Sequence, residues 1–189
     1  MRVIAGTHRG RRLRRPQGSA IRPTSDRVRE ALFSIIGNRL LDGHFLDLYA
    51  GTGAVGVEAL SRGAAHVTCV ESDTEALKLL RRNVEECGVA DDVTIVPQQV
   101  EHFLKRPDRW EGPYEVIFAD PPYNETHEFI ALLSEPVADR LFAADAWLIL
   151  EHANKTSVPS SLGRALRTRH YRYGDTALSR YSLPHPEQP

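Results

Sequence analysis

No apolar run in this chain approaches the length needed to cross a bilayer, and the N-terminus has arginines where a secretory leader would carry its apolar centre. Both absences lead us to expect a cytoplasmic protein. Cysteine is scarce. Cys69, in an expected strand, and Cys87, near an expected helix end, have no paired spacing for a metal and read as reduced packing residues. None of the eight histidines has ligand spacing either, so no metal is expected. Lysine is missing from the first 22 residues, where positive charge is supplied by arginine throughout. Residues 1–30 hold nine Arg against Asp26 and Glu30, a local +7 inside a chain whose net charge is −1, so the remainder carries −8. The basic head is the part suited to a polyanion. The rest is ordinary: 189 residues, 41% hydrophobic and 26% charged, give room for one domain with a core and a short appendage.

Residues 1–22 break at Gly6 and Gly10 into short extended pieces, which predicts a small basic hairpin extension ahead of a domain spanning 23–183. Arg9, Arg11, Arg12, Arg14 and Arg15, with Arg22 beyond them, are candidates to neutralise phosphates; a solvated tail without a partner is the plain alternative. Pro23 enforces an extended start, Thr24 or Ser25 can cap, and Val28, Leu32, Ile35 and Ile36 share one helical face, with the arginines of this helix expected to point away from it. Strands are expected at 44–50, 66–71, 93–96, 114–119 and 147–150, with helices between them and a helical region near 125–142. This alternation predicts a parallel, doubly wound α/β sheet. The segment from Arg164 to Tyr173, the turn Gly174-Asp175 and Thr176 to Leu183 read as a terminal hairpin, and residues 184–189 as a disordered tail.

The apolar strand ending at Ala119 runs into Asp120-Pro121-Pro122-Tyr123. Two prolines offer no backbone N–H, so the turn presents acceptors: the Asp120 carboxylate and the Pro121 carbonyl. Such a pair suits an amine with two hydrogens to donate. An exocyclic base amine is a poor nucleophile because its lone pair is delocalised; holding both hydrogens on acceptors favours a pyramidal nitrogen aimed at an electrophile. Tyr123 offers a flat face for the base. An Asp-capped turn with the Tyr packed in the core is the structural alternative.

Gly51-Thr52-Gly53-Ala54-Val55-Gly56 follows the first strand, and Glu71 ends the second, twenty positions after Gly51. The glycines let backbone pass close to a ligand, and the acid suits the two hydroxyls of a ribose. Read literally this is a dinucleotide fingerprint, so an NAD-dependent oxidoreductase is a rival. Asp47, four residues before Gly51, instead suits the positively charged amino end of a nucleotide bearing an amino acid, and S-adenosylmethionine is one. Gln99 is a candidate for the adenine amine, or a solvent-exposed loop amide. A non-enzymatic RNA-binding protein is the third reading; it would not need Asp47, Glu71 and Asp120 at one sheet edge.

Asp47-Leu48-Tyr49-Ala50-Gly51-Thr52-Gly53 resembles motif I of the class I S-adenosylmethionine-dependent methyltransferases, and Asp120-Pro121-Pro122-Tyr123 their amino-methylating motif IV. Arg22-Pro23-Thr24, the run Arg27 to Phe33 and Gly56 to Ala64 are more specific, and with these the chain resembles, from residue 2 to about 183, the RsmD family of bacterial 16S ribosomal RNA guanine-N2 methyltransferases. The resemblance implies a Rossmann-like fold: a seven-stranded, mostly parallel sheet with an antiparallel last strand and helices on both faces. It implies methylation of guanine 966, conventional rRNA numbering, in an assembling 30S subunit, by a protein expected to be monomeric. DNA or RNA adenine-N6 methylation is the alternative with the same chemistry. Carried onto this chain, Asp120, Pro121 and Tyr123 are the catalytic residues. Gly51, Thr52 and Gly53 approach the cofactor, Asp47 its methionine end, Glu71 with neighbouring Ser72 its ribose, and Gln99 with the Val100 backbone its adenine. Gln99 stands where relatives often have an acid, and Tyr49 where they more usually have Phe.

Overall fold

The computed structural model describes residues 1–16 and 26–184. Arg22, Pro23 and the candidate caps Thr24 and Ser25 lie outside these residues, as do the last five positions of the expected disordered tail.

The described residues build one eight-stranded sheet: β1 (His44–Leu48), β2 (His66–Glu71), β3 (Val93–Pro97), β4 (Tyr114–Ala119), β5 (Phe142–Ala153), β6 (Ser161–Leu162), β7 (Ala165–Tyr173) and β8 (Thr176–Ser182). Their order across the sheet is β3-β2-β1-β4-β5-β8-β7-β6. The first five are parallel, and β8 runs antiparallel to both of its neighbours. This is the expected class I methyltransferase sheet with its antiparallel last strand; the two-residue β6, too short to show a period, is the strand beyond the seven. β5 is also longer than its apolar centre suggested, because Phe142 to Ala146 extend it at one end and Glu151 to Ala153 at the other.

The parallel strands are apolar throughout because both faces are covered. Phe45, Val67, Val116, Phe118 and Ile149 pack beneath α1 (Asp26–Ile36), α2 (Ala54–Ser61) and α3 (Thr74–Glu86). Leu46, Leu48, Val70, Ile117 and Leu148 pack beneath α4 (Val100–Leu104) and α5 (Thr126–Leu133). The expected helical region near 125–142 is α5 followed by a 3₁₀ segment, Pro136–Leu141. α3 starts on the Asp73 cap, whose carboxylate accepts from the Ala76 amide at 2.8 Å, and buries Leu77, Leu80 and Val84. The chain reverses its winding between β1 and β4, and ligands of open α/β sheets bind at the carboxyl ends of the strands there.

Residues 1–13 form a hairpin, and residues 17–22 of the expected extension lie outside the described residues. Arg2 bridges Arg12, and Leu13 N–H donates to the Met1 carbonyl at 3.0 Å. The hairpin is stitched to α2: the Glu58 carboxylate accepts from the Ile4 and Ala5 amides at 2.7 and 3.0 Å, and the Ser61 carbonyl accepts from the Thr7 amide at 2.8 Å. Val3 and Leu13 join the core under α1. Gly6, at φ +81, sits so close to α2 that a Cβ would lie 1.6 Å from the Ser61 carbonyl oxygen.

One expectation for α1 is overturned. Its arginines do not all face solvent: Arg29 is fully buried, donating to the Arg2 carbonyl at 2.6 Å and to Asp26 at 3.0 Å, with Glu58 4.0 Å away. The apolar stripe alone does not place Arg29, because the hairpin adds a second covering layer over the helix.

Candidate active site

A cavity of about 1160 Å³ opens at the carboxyl ends of β1, β2 and β4. Its floor is the turn from β1 into α2. Tyr49, at φ +67, and Gly51, at φ +55, both take the left-handed conformation, which bends backbone toward the ligand side. Glu71 closes one flank: one carboxylate oxygen accepts from the Gly51 amide at 2.7 Å, the other from the Ser72 and Asp73 amides, both at 2.7 Å. Three of the four lone pairs of the carboxylate are thus taken, and the oxygen facing Gly51 keeps one acceptor position. Ser72, Gln99 and Val100 also line the cavity, and Gln99, exposed, is the residue before α4. On the opposite flank stand Asp120, Pro121 and Tyr123. Tyr123 is 48% exposed, which excludes the alternative of a Tyr packed in the core.

Two expected cofactor contacts sit behind the wall. Gly53 makes the left-handed turn at φ +75 against Leu80, where a Cβ would come within 3.0 Å of that side chain. Asp47, the fourth residue of β1, alternates onto the α2 face and is buried beneath Gly56. Gly56 has to be a glycine for α2 to pack this closely, since a Cβ would lie 3.0 Å from both Cys69 Sγ and Val67 Cγ1. Burial, first, then the charges of Asp120 and Glu71 push the Asp47 carboxyl well above the usual range, against a hydrogen bond from the Gly56 amide. Its Oδ2 has no hydrogen-bond partner among the described residues.

This raised carboxyl gives a prediction. The folded state keeps a proton on Asp47 at pH values where the unfolded chain has released it, so stability falls as pH rises above the normal carboxylate pKa of about 4. Asp47→Asn is therefore expected to unfold at a higher temperature than the parent at neutral pH, the gap closing toward pH 4. A gap that does not change with pH would refute the assignment.

The wall is acidic. Glu71, Asp73, Glu101, Asp120, Glu125 and Glu128 line it, and among the described residues no Lys, Arg or His does. Burial and the charges of Glu125, Glu128 and Glu101 push the Tyr49 phenol up, so it stays protonated. Burial also raises the Cys69 thiol, reinforced by Asp47 and Glu71, and leaves it a packing group. The wall suits a cationic ligand and opposes a pyrophosphate, so the NAD reading loses its support.

The basic residues lie elsewhere. Arg9 and Arg12 are exposed on the hairpin. Arg11 donates to the Cys87 carbonyl, and Arg14 pairs with Glu86 at 3.0 Å, so these two serve in docking the hairpin onto α3 as well as in its charge. Sequence reasoning missed Asn83, which is fully buried on α3. Its Nδ2 donates to the Thr52 carbonyl at 2.9 Å and the Arg14 carbonyl at 3.2 Å, tying the glycine turn to the hairpin. A polar residue at a core-facing helix position was the available signal.

Residues 1–182 match the family model described as conserved hypothetical protein 95. The ribosomal RNA small subunit methyltransferase D of Escherichia coli K12 is 36% identical over 148 residues, 78% of this chain and 69% of that protein. The Bacillus subtilis protein YlbH is 34% identical over 181 residues, 96% of this chain and 98% of the relative. A Thermus thermophilus protein of solved structure superposes with a TM-score of 0.80 at 33% identity, covering 95% of this chain and 98% of that one. A hairpin stitched to a class I sheet, an acid-lined cavity and an Asp-Pro-Pro-Tyr turn thus stand in a chain that belongs to the RsmD family of methyltransferases.

Proposed function

We propose that this enzyme uses S-adenosylmethionine to methylate the exocyclic N2 amine of guanine 966 in 16S ribosomal RNA, within the assembling small subunit. The observation that carries the reading is an acid-walled cavity, without a basic side chain among its described lining residues, opening beside an acceptor-only turn. When bound, S-adenosylmethionine supplies an electrophilic methyl on a cationic sulfur. The residues present fit it: Glu71 offers an acceptor to a ribose, the Gly51 and Thr52 backbone allows close approach, and Gln99 with the Val100 amide borders the place for an adenine. The field of Glu71, Asp120 and the carboxylates opposite favours a cation over its neutral product.

Asp120 and the Pro121 carbonyl take the two hydrogens of the base amine and turn its lone pair toward the cofactor side of the cavity. Asp120 would then stabilise the positive charge that grows on nitrogen as the N–C bond forms; the methyl–sulfur bond breaks with its electron pair going to sulfur, and one amine proton is lost to solvent. Tyr123 stacks on the base, and stacking worth about 1–3 kcal/mol offsets much of the few kcal/mol needed to take a base out of its stack. Tyr123→Ala is accordingly expected to raise KM for RNA with little change in cofactor affinity; an unchanged KM would remove the stacking role.

The guanine target follows the family, because the same turn would serve adenine N6 equally well. Transfer of labelled methyl to small subunits from cells lacking this gene, with naked ribosomal RNA and double-stranded DNA alongside, separates the two. Label recovered as N2-methylguanosine at the proposed position is the expected result; N6-methyladenine would keep the chemistry and overturn the target.

A further inference from the structure

An acid-walled cavity repels phosphates, so an RNA whose base enters it has to be gripped at a distance. The hairpin spends part of its charge on docking, through Arg11 and Arg14. A second concentration of arginine lies on β7, Ala165-Leu166-Arg167-Thr168-Arg169-His170-Tyr171-Arg172-Tyr173. Its pairing with β8 places Arg169 opposite Arg180, Tyr171 opposite Leu178 and Tyr173 opposite Thr176. These pairs share one face of the sheet, and from Tyr173 to Arg169 the row covers about 13 Å.

One end of the row is at the cavity, since Thr176 is part of its wall. The other end reaches Trp147, whose ring carries the Arg180 guanidinium at 4.0 Å and that of Arg39 at 4.4 Å from its centroid. Arg180 is oriented by donating to Thr168 Oγ1 at 3.0 Å, and Arg39 by donating to the Asp145 carbonyl. Arg169 is exposed and donates to the Thr168 carbonyl at 3.0 Å. Burial and the like charges of Arg169 and Arg39 push the Arg180 pKa down, with the Tyr171 phenol opposing them. Tyr171 and Tyr173 are half-buried against the core under α1, so their rings are held in place rather than free to swing. Convergent guanidiniums beside ordered aromatics make a surface complementary to a nucleic-acid strand: phosphates meet the charges, and bases or riboses meet the rings.

We propose that Arg39, Arg169 and Arg180, with Trp147, Tyr171 and Tyr173, form a second RNA-binding surface that holds the strand flanking the target nucleotide. This rests on the reading of the substrate as RNA. The hairpin and this row lie at different parts of the fold, so the substrate is held at two places with the cavity as a third point.

The test is anisotropy of a fluorescein-labelled, mixed-sequence RNA hairpin across a KCl series, using the full chain as the parent, Arg169→Gln, Arg39→Gln with Arg169→Gln, and Arg169→Lys. Removing one arginine that neutralises a phosphate should weaken binding by up to about tenfold near ~0.1 M salt and make the slope of log affinity against log salt shallower by about 0.7–0.9. Arg169→Lys should restore the slope. Melting temperature and S-adenosylmethionine affinity by calorimetry should stay at parental values, which distinguishes a weakened grip on RNA from a disturbed fold. Affinity and slope unchanged in the double variant, with a salt-dependent parent, would overturn the surface alone. A parent that shows no salt-dependent RNA binding would overturn the RNA reading and this surface with it.

Discussion

Asp120→Ala is expected to slow methyl transfer by about 10²–10³, the usual effect of removing one preorganised group that meets charge developing in a transition state. Asp120 lines one flank of the cavity and Glu71, proposed to meet the ribose, stands at the end of β2 on the other, so cofactor affinity measured by calorimetry should largely survive. In the proposed mechanism the substitution removes the acceptor for one amine hydrogen and a negative charge beside the nitrogen, leaving the Pro121 carbonyl as the remaining acceptor. It also removes a charge that helps keep Asp47 protonated, so Asp47 should titrate lower in the variant than in the parent. Single-turnover rates with saturating RNA isolate the chemical step from binding. A variant that turns over like the parent would eliminate Asp120 as the group that activates the amine.

The second large effect is on stability. Glu58 is fully buried on α2, with Arg62 at 2.7 Å, Arg29 at 4.0 Å and the Ile4 and Ala5 amides on its oxygens. Glu58→Ala leaves the buried Arg29 guanidinium with Asp26 as its remaining counter-charge, takes the 2.7 Å partner from Arg62 and strips two amides of the hairpin of their acceptor. Breaking a buried pair from one side costs about 3–5 kcal/mol. For a domain of this size that is a fall of roughly 6–20 °C in Tm. Glu58→Gln should do less, because an amide oxygen can still accept from the hairpin. Urea denaturation at constant m-value would measure the loss. A loss below about 1 kcal/mol would mean that Arg29 is satisfied without Glu58.

Asp120 and Glu58 differ in how visible their roles are in the sequence. The Asp120 turn and the glycine turn with Glu71 are stretches whose chemistry is local: prolines remove donors, glycines permit left-handed backbone, and an acid at a strand end faces the carboxyl edge. The parallel run of the first five strands follows from the same alternation of apolar runs and helical stripes. Asp47 shows the limit of this reasoning. Four residues before Gly51 is a position near the site in sequence, yet the strand's period of two turns the side chain under α2, and only the location of Gly56 against Cys69 reveals that it lies behind the wall.

Arg29 and Glu58 were legible only as charged residues on helices, and solvent was the natural place for them. Their burial depends on Ile4 and Ala5, more than 50 positions away from Glu58, folding back over α2. Likewise Asn83 meets Arg14 across 69 positions, and Arg39, Trp147 and Arg180 come from a 3₁₀ turn and two strands that meet only when the sheet closes its order. Residue type and spacing along the chain therefore settled the fold class, the motif turns and the chemistry they offer, because each depends on neighbours within a few positions. Which arginines are spent on holding the hairpin, which remain on the surface, and which acids border the cavity were settled by packing, because a side chain's partners across the chain depend on how whole elements stack and not on the period within any one of them.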